Sequence, residues 1–104
     1  MKMSPILSEN AERLATLCKQ YRVGKLYAFG SVITEHFSEA TSDLDLLVEL
    51  EPMSPIEKGE TLLNFWDALE ELFQRKVDLL TDQPIKNEYL RDSINSTKRL
   101  IYES

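Results

Sequence analysis

The chain has 104 residues, 42% hydrophobic and 29% charged, with a net charge of −6, which is the size and composition of a single domain spanning residues 1–104. The acidic balance argues against broad binding to DNA or RNA, and the one cysteine excludes an intramolecular disulfide. No stretch has the apolar length of a secretion signal or a membrane span, so the expected setting is reducing and cytoplasmic.

The first predicted element is a helix over residues 5–22. Leu7, Ala11, Leu14, Cys18 and Tyr21 recur at steps of four and three and share one face. Ser4-Pro5 or Ser8 would open this helix and Gly24 would close it. Cys18 lies on the apolar stripe and reads as core rather than as a nucleophile. A short strand follows, Lys25 to Phe29, with Gly30-Ser31 at its C-terminal end. Val32 to Phe37 can make a short helix, and the small polar run Ser38 to Ser42 reads as a loop.

Leu44 to Leu50 is the second strand. Leu44, Leu46, Val48 and Leu50 alternate with Asp45, Leu47 and Glu49, so Asp43 and Asp45 project from the same face. Pro52 and Pro55 break the chain. A long helix is predicted from Pro55 to Gln74, its stripe built from Leu62, Trp66, Leu69 and Phe73 and read as core packing. Lys76 to Thr81 is a third strand. Residues 86–102 are predicted as a last helix, with Leu90, Ile94, Thr97 and Ile101 on one face. The long helix suits a crossover, so the second and third strands are expected to be parallel neighbours, and the first two antiparallel. The expected fold class is α+β: a small mixed sheet of about three strands flanked by helices.

On such a sheet Asp43, Asp45 and Asp78 converge on one patch. Clustered carboxylates repel one another and cost desolvation, a cost that a divalent cation with a preference for hard oxygen ligands, Mg²⁺ or Mn²⁺, relieves. Gly30 permits close approach of a phosphate to the main chain, and Ser31 offers a hydroxyl donor where a helix would begin. An Asp-x-Asp or a Gly-Ser alone carries little weight. Their conjunction, strand, Gly-Ser, polar connection, Asp-x-Asp on a second strand and an Asp on a third, points to metal-assisted phosphoryl chemistry. The sole histidine, His36, excludes a multi-histidine metal site.

FGSVITEHFSEATSDLDLLVE followed by KVDLLT resembles the motif set of the minimal nucleotidyltransferases, a branch of the DNA polymerase beta-like superfamily. The resemblance extends over nearly the whole chain. It implies that Asp43 and Asp45 bind the metals, that Asp78 completes the metal site or helps activate the acceptor hydroxyl, and that Gly30 and Ser31 hold the triphosphate. It implies transfer of a nucleoside monophosphate, AMP from ATP, to a hydroxyl, with Mg²⁺ or Mn²⁺ as cofactor. Small members of the family are often paired with an all-helical HEPN toxin, so a HEPN-type protein is the expected partner and acceptor. The alternative is an antitoxin-like binding module that neutralises its partner by complex formation. No direct nucleic-acid binding and no membrane partner are expected, and a homo-oligomer is compatible with a domain this small. Two departures stand out. The spacer Val32 to Ser42 is one residue longer than the family's usual, and Val32 stands where many relatives carry an arginine.

Overall fold

The computed structural model describes residues 5–30, 44–81 and 88–104. Ser31, His36, Asp43, the expected short helix Val32–Phe37 and the loop 38–42 lie outside the described residues. In chain order the elements are α1 (Pro5–Glu9), α2 (Ala11–Gln20), β1 (Val23–Phe29), β2 (Leu44–Leu50), α3 (Pro55–Phe73), β3 (Val77–Thr81), α4 (Glu88–Thr97) and β4 (Arg99–Glu103). The strands form one four-stranded sheet in the order β3-β2-β1-β4. β1 runs antiparallel to β2 and to β4, and β2 runs parallel to β3, with α3 as the crossover. No helix among the described residues is long and apolar enough to cross a membrane.

Three features depart from the expected elements. The first helix is two, interrupted at Asn10, whose carbonyl accepts the Leu14 N–H at 2.8 Å and starts α2. Asparagine is weak inside a helix, and here its carbonyl, with no capping bond from its side chain, marks the break. Secondly, it is Arg22, not Gly24, that turns the chain out of α2: Arg22 takes φ +58°, and Gly24 already belongs to β1. A left-handed arginine is costly in isolation. Here the Arg22 carbonyl accepts the Glu51 N–H at 2.9 Å, and its guanidinium reaches the Pro52 carbonyl and Glu57.

Thirdly, the last helix stops at Thr97 and the chain continues as a fourth strand, RLIYE. The apolar pattern through Ile101 fits helix and strand alike. Its β-branched and aromatic residues suit a sheet, and without β4 the long β1 would present an unpaired edge. One extra residue on β4, Ile101, makes a bulge opposite Leu26 and Tyr27. A bulge can turn consecutive side chains to one side, and Ile101 and Tyr102 both pack on the main core.

That core lies between the sheet and α1 to α3. Leu26, Ala28, Leu44, Leu46, Val48, Val77 and Leu79 face Leu7, Leu14, Cys18, Phe65, Leu69 and Phe73. α3 begins at Ser54, whose hydroxyl accepts the Glu57 N–H, with Pro55 at the first helical position. It ends where Gln74 takes φ +53°. The opposite face of the sheet carries a smaller cluster, Phe29, Leu47 and Ile94 with Tyr27 and Leu80, covered by α4. Lys98 lies 4.7 Å above the Tyr27 ring.

Cys18 is fully buried, as its place on the stripe implied, and burial pushes its thiol up from 9.0 to about 12. Between those values the unfolded chain releases the proton while the folded chain keeps it. The contribution to stability is therefore full below pH 9 and shrinks as pH rises toward 12, at up to about 1.4 kcal/mol per pH unit. Cys18→Ala removes this dependence. Its urea midpoint should lie below that of the unmodified protein at pH 8, and the difference should narrow at pH 10; a constant difference would contradict the assignment.

Candidate functional site

All four strands have an end on one side of the sheet. β1 runs out there into Gly30, β2 and β3 start there, and α4 delivers Thr97 there just before β4. The parallel pairing sets Asp45 directly opposite Asp78, and the antiparallel pairing sets Phe29 opposite Asp45 on its other side. Neighbouring strands put paired Cα atoms roughly 4.8 Å apart. The two aspartates sit on the same face because each is second in its strand and each is flanked by core residues: Leu44 and Leu46 for Asp45, Val77 and Leu79 for Asp78. Both are half-buried. They line a cleft of about 280 Å³ with Phe29, Gly30, Trp66, Leu79 and Leu80.

Gly30 adopts φ +73°, and a Cβ built on it would stand 2.6 Å from Asp45 Oδ2. The left-handed backbone favours glycine, and any Cβ there would push the Asp45 carboxylate from its place. The Gly-Ser motif thus does something that sequence reasoning did not assign to it: it lets the Asp45 carboxylate lie against the main chain. The Gly30 N–H donates to Thr97 Oγ1 at 2.8 Å. That N–H is committed, so any phosphate cradle at this turn would draw on the N–H groups after it.

Of the predicted site residues, Gly30, Asp45 and Asp78 therefore come together, while Ser31 and Asp43 lie outside the described residues. Among the described residues no group of three or more His, Cys, Asp or Glu side chains is placed to hold a metal ion. What they contribute is one pair of carboxylates, and its donor chemistry fits a hard divalent cation completed by further oxygen ligands. Two residues at the site were read from sequence only as core. Thr97 was placed on an apolar helix face, yet its hydroxyl holds the Gly30 turn. Trp66 was placed in a packing stripe, yet it also borders the cleft, its indole N–H donating to the Val77 carbonyl at 2.7 Å. No local pattern announces either role, since each partner lies far away in sequence or across the fold.

The comparisons with known proteins agree with this architecture. The family model described as a nucleotidyltransferase domain matches residues 11–101. A Methanocaldococcus jannaschii protein provisionally named a protein adenylyltransferase is 36% identical over 87 residues, covering 83% of this chain and 82% of that one. A solved structure provisionally described as a minimal nucleotidyltransferase superposes with a TM-score of 0.68 at 26% identity, over 89% of this chain and 90% of that one. A chain in the solved complex of a tri-AMPylated Shewanella oneidensis HEPN toxin with MNT antitoxin gives a TM-score of 0.55 at 18% identity, over 93% of this chain and 72% of that one, a likeness of fold.

Gly30→Ala tests the close approach. The added methyl forces the Asp45 carboxylate aside and strains the backbone, at a stability cost of about 1–3 kcal/mol. A displacement of the order of 1 Å at a reacting centre costs about 100-fold, so nucleotide transfer should fall by about that factor while the far-ultraviolet spectrum is kept. Unchanged transfer would show that Asp45 does not need its present place.

Proposed function

This chain belongs to the nucleotidyltransferase domain family and is a nucleotide-transferring enzyme, and on that premise we propose that it moves AMP from ATP to a hydroxyl on a partner protein with the help of a divalent metal. The observation that carries the reading is the in-register pairing of Asp45 with Asp78 beside the Gly30 turn, within one cleft. Asp45 and Asp78, with Asp43, would hold Mg²⁺ or Mn²⁺. When bound, the metal supplies charge neutralisation for the triphosphate.

The chain's own residues do the rest. Beyond Gly30, whose own N–H is held by Thr97, the following main-chain N–H groups and the Ser31 hydroxyl would serve as donors to the phosphates. The bond formed is between the acceptor oxygen and the α-phosphorus, and the bond broken joins the α-phosphorus to the bridging oxygen, so that pyrophosphate leaves. The hydroxyl proton passes to a carboxylate, for which Asp78 is the candidate, or to water. Positioning and electrostatics account for most of the rate in chemistry of this kind.

The acceptor is proposed to be an all-helical HEPN-type protein. A solved complex of an AMPylated HEPN toxin with an MNT antitoxin contains a chain that shares this fold, and the net charge of −6 suits a basic partner. A single transferase domain in a reducing cytoplasm completes the reading.

The test is intact-mass measurement of the protein encoded beside this one, co-expressed with the chain and with its Asp45→Asn/Asp78→Asn variant. The expected result is a gain of one or more AMP units with the unmodified chain alone. A stable complex in both cases with no mass gain would replace the enzymatic reading by one of neutralisation through binding.

A further inference from the structure

β3 is an edge strand, paired only with β2 among the described residues. The Lys76 carbonyl faces β2, where it accepts the Leu44 N–H at 3.1 Å. Main-chain groups alternate sides along a strand, so Val77 turns its N–H and C=O to the open side. Such groups fray or recruit other strands unless something covers them.

Here α3 covers them from two successive turns. The Trp66 indole N–H donates to the Val77 carbonyl at 2.7 Å, and Glu70 Oε2 accepts the Val77 N–H at 2.9 Å. Both main-chain groups of the residue before Asp78 are thereby held. The Val77 carbonyl belongs to the peptide plane joined directly to the Asp78 nitrogen, so holding it fixes the orientation of the Asp78 Cα. Two side chains four apart on one helix therefore seal the strand edge at the point where it presents its carboxylate, and one of them, Trp66, borders the same cleft.

We propose that Trp66 and Glu70 are positioning residues, clamping Val77 so that the Asp78 carboxylate is held opposite Asp45. This inference rests on the reading of Asp45 and Asp78 as the metal-binding pair. Neither residue needs to touch metal or substrate. Their effect is that of an outer layer of hydrogen bonds, whose loss typically costs 10–100-fold in metal affinity or activity.

Three variants separate this role from packing. Trp66→Phe keeps an aromatic ring and loses the N–H; Glu70→Leu keeps bulk and loses the acceptor; Glu70→Gln keeps an acceptor oxygen and so serves as the rescuing change. Mn²⁺ affinity would be read from the electron paramagnetic resonance of the free ion, transfer by kcat and KM for ATP with the partner protein present, and the clamp by hydrogen exchange at the Val77 amide. Trp66→Phe and Glu70→Leu should each weaken Mn²⁺ binding and lower kcat by about tenfold or more, with KM for ATP within about twofold. The Val77 amide should exchange faster in Glu70→Leu, and Glu70→Gln should lie near the unmodified protein in every measurement.

Unchanged Mn²⁺ affinity and kcat in both disruptive variants would overturn the proposal. If the unmodified protein binds Mn²⁺ but transfers nothing, the transfer reading falls and the clamp is judged on Mn²⁺ affinity. If it binds no Mn²⁺, the metal reading falls, and unaltered Val77 exchange in Glu70→Leu overturns the clamp as well.

Discussion

Parallel strands begin at the same end of a sheet, and β2 and β3 each carry an aspartate in second place. Their register sets Asp45 against Asp78, and the rest of the fold accommodates that juxtaposition. Two half-buried carboxylates on adjacent strands are a repulsive arrangement that a chain selected for stability alone would replace with β-branched residues. The core on the other side of the sheet makes the arrangement tolerable. Leu44, Leu46, Val77 and Leu79 are buried against α3 and α2, which locks the alternation and leaves the aspartates no other face to occupy.

The neighbouring segments are shaped around this pair. β1 ends opposite Asp45, and the chain leaves it through a left-handed glycine, against which the carboxylate lies with no intervening side chain. α4 ends where Thr97 can anchor that glycine, and β4 then returns along β1. On the far side β3 is the edge strand among the described residues, and the Trp66 and Glu70 side chains cover its main chain at Val77. The site is thus assembled from the ends of separate elements, and the long crossover helix contributes both the core of the domain and the cover for its edge.

Much of this was legible in the sequence because it follows from periodicity. The alternation in LDLLVEL places Asp45 on the face away from the core, and the length of α3 implies a parallel partner for β2; both hold. The stripe that buried Cys18 was equally legible. What could not be read depends on contacts between distant residues. RLIYE suits a helix or a strand by its own pattern, and the open side of β1 together with a bulge at Ile101 decides for the strand. Arg22 takes the left-handed turn in place of the nearby glycine because residues 51–57 hold it there. The hydroxyl of Thr97 and the indole N–H of Trp66 find main-chain partners that no spacing rule connects to them.

As a metal and nucleotide site, the Asp45–Asp78 pair should hold both ligands at once. The most direct measurement is anomalous diffraction from crystals of this protein grown with Mn²⁺ and a non-hydrolysable ATP analogue. An anomalous peak is expected within coordination distance of both carboxylates, with the triphosphate against the Gly30 turn. Nucleotide bound elsewhere, or a metal peak that touches neither Asp45 nor Asp78, would contradict it.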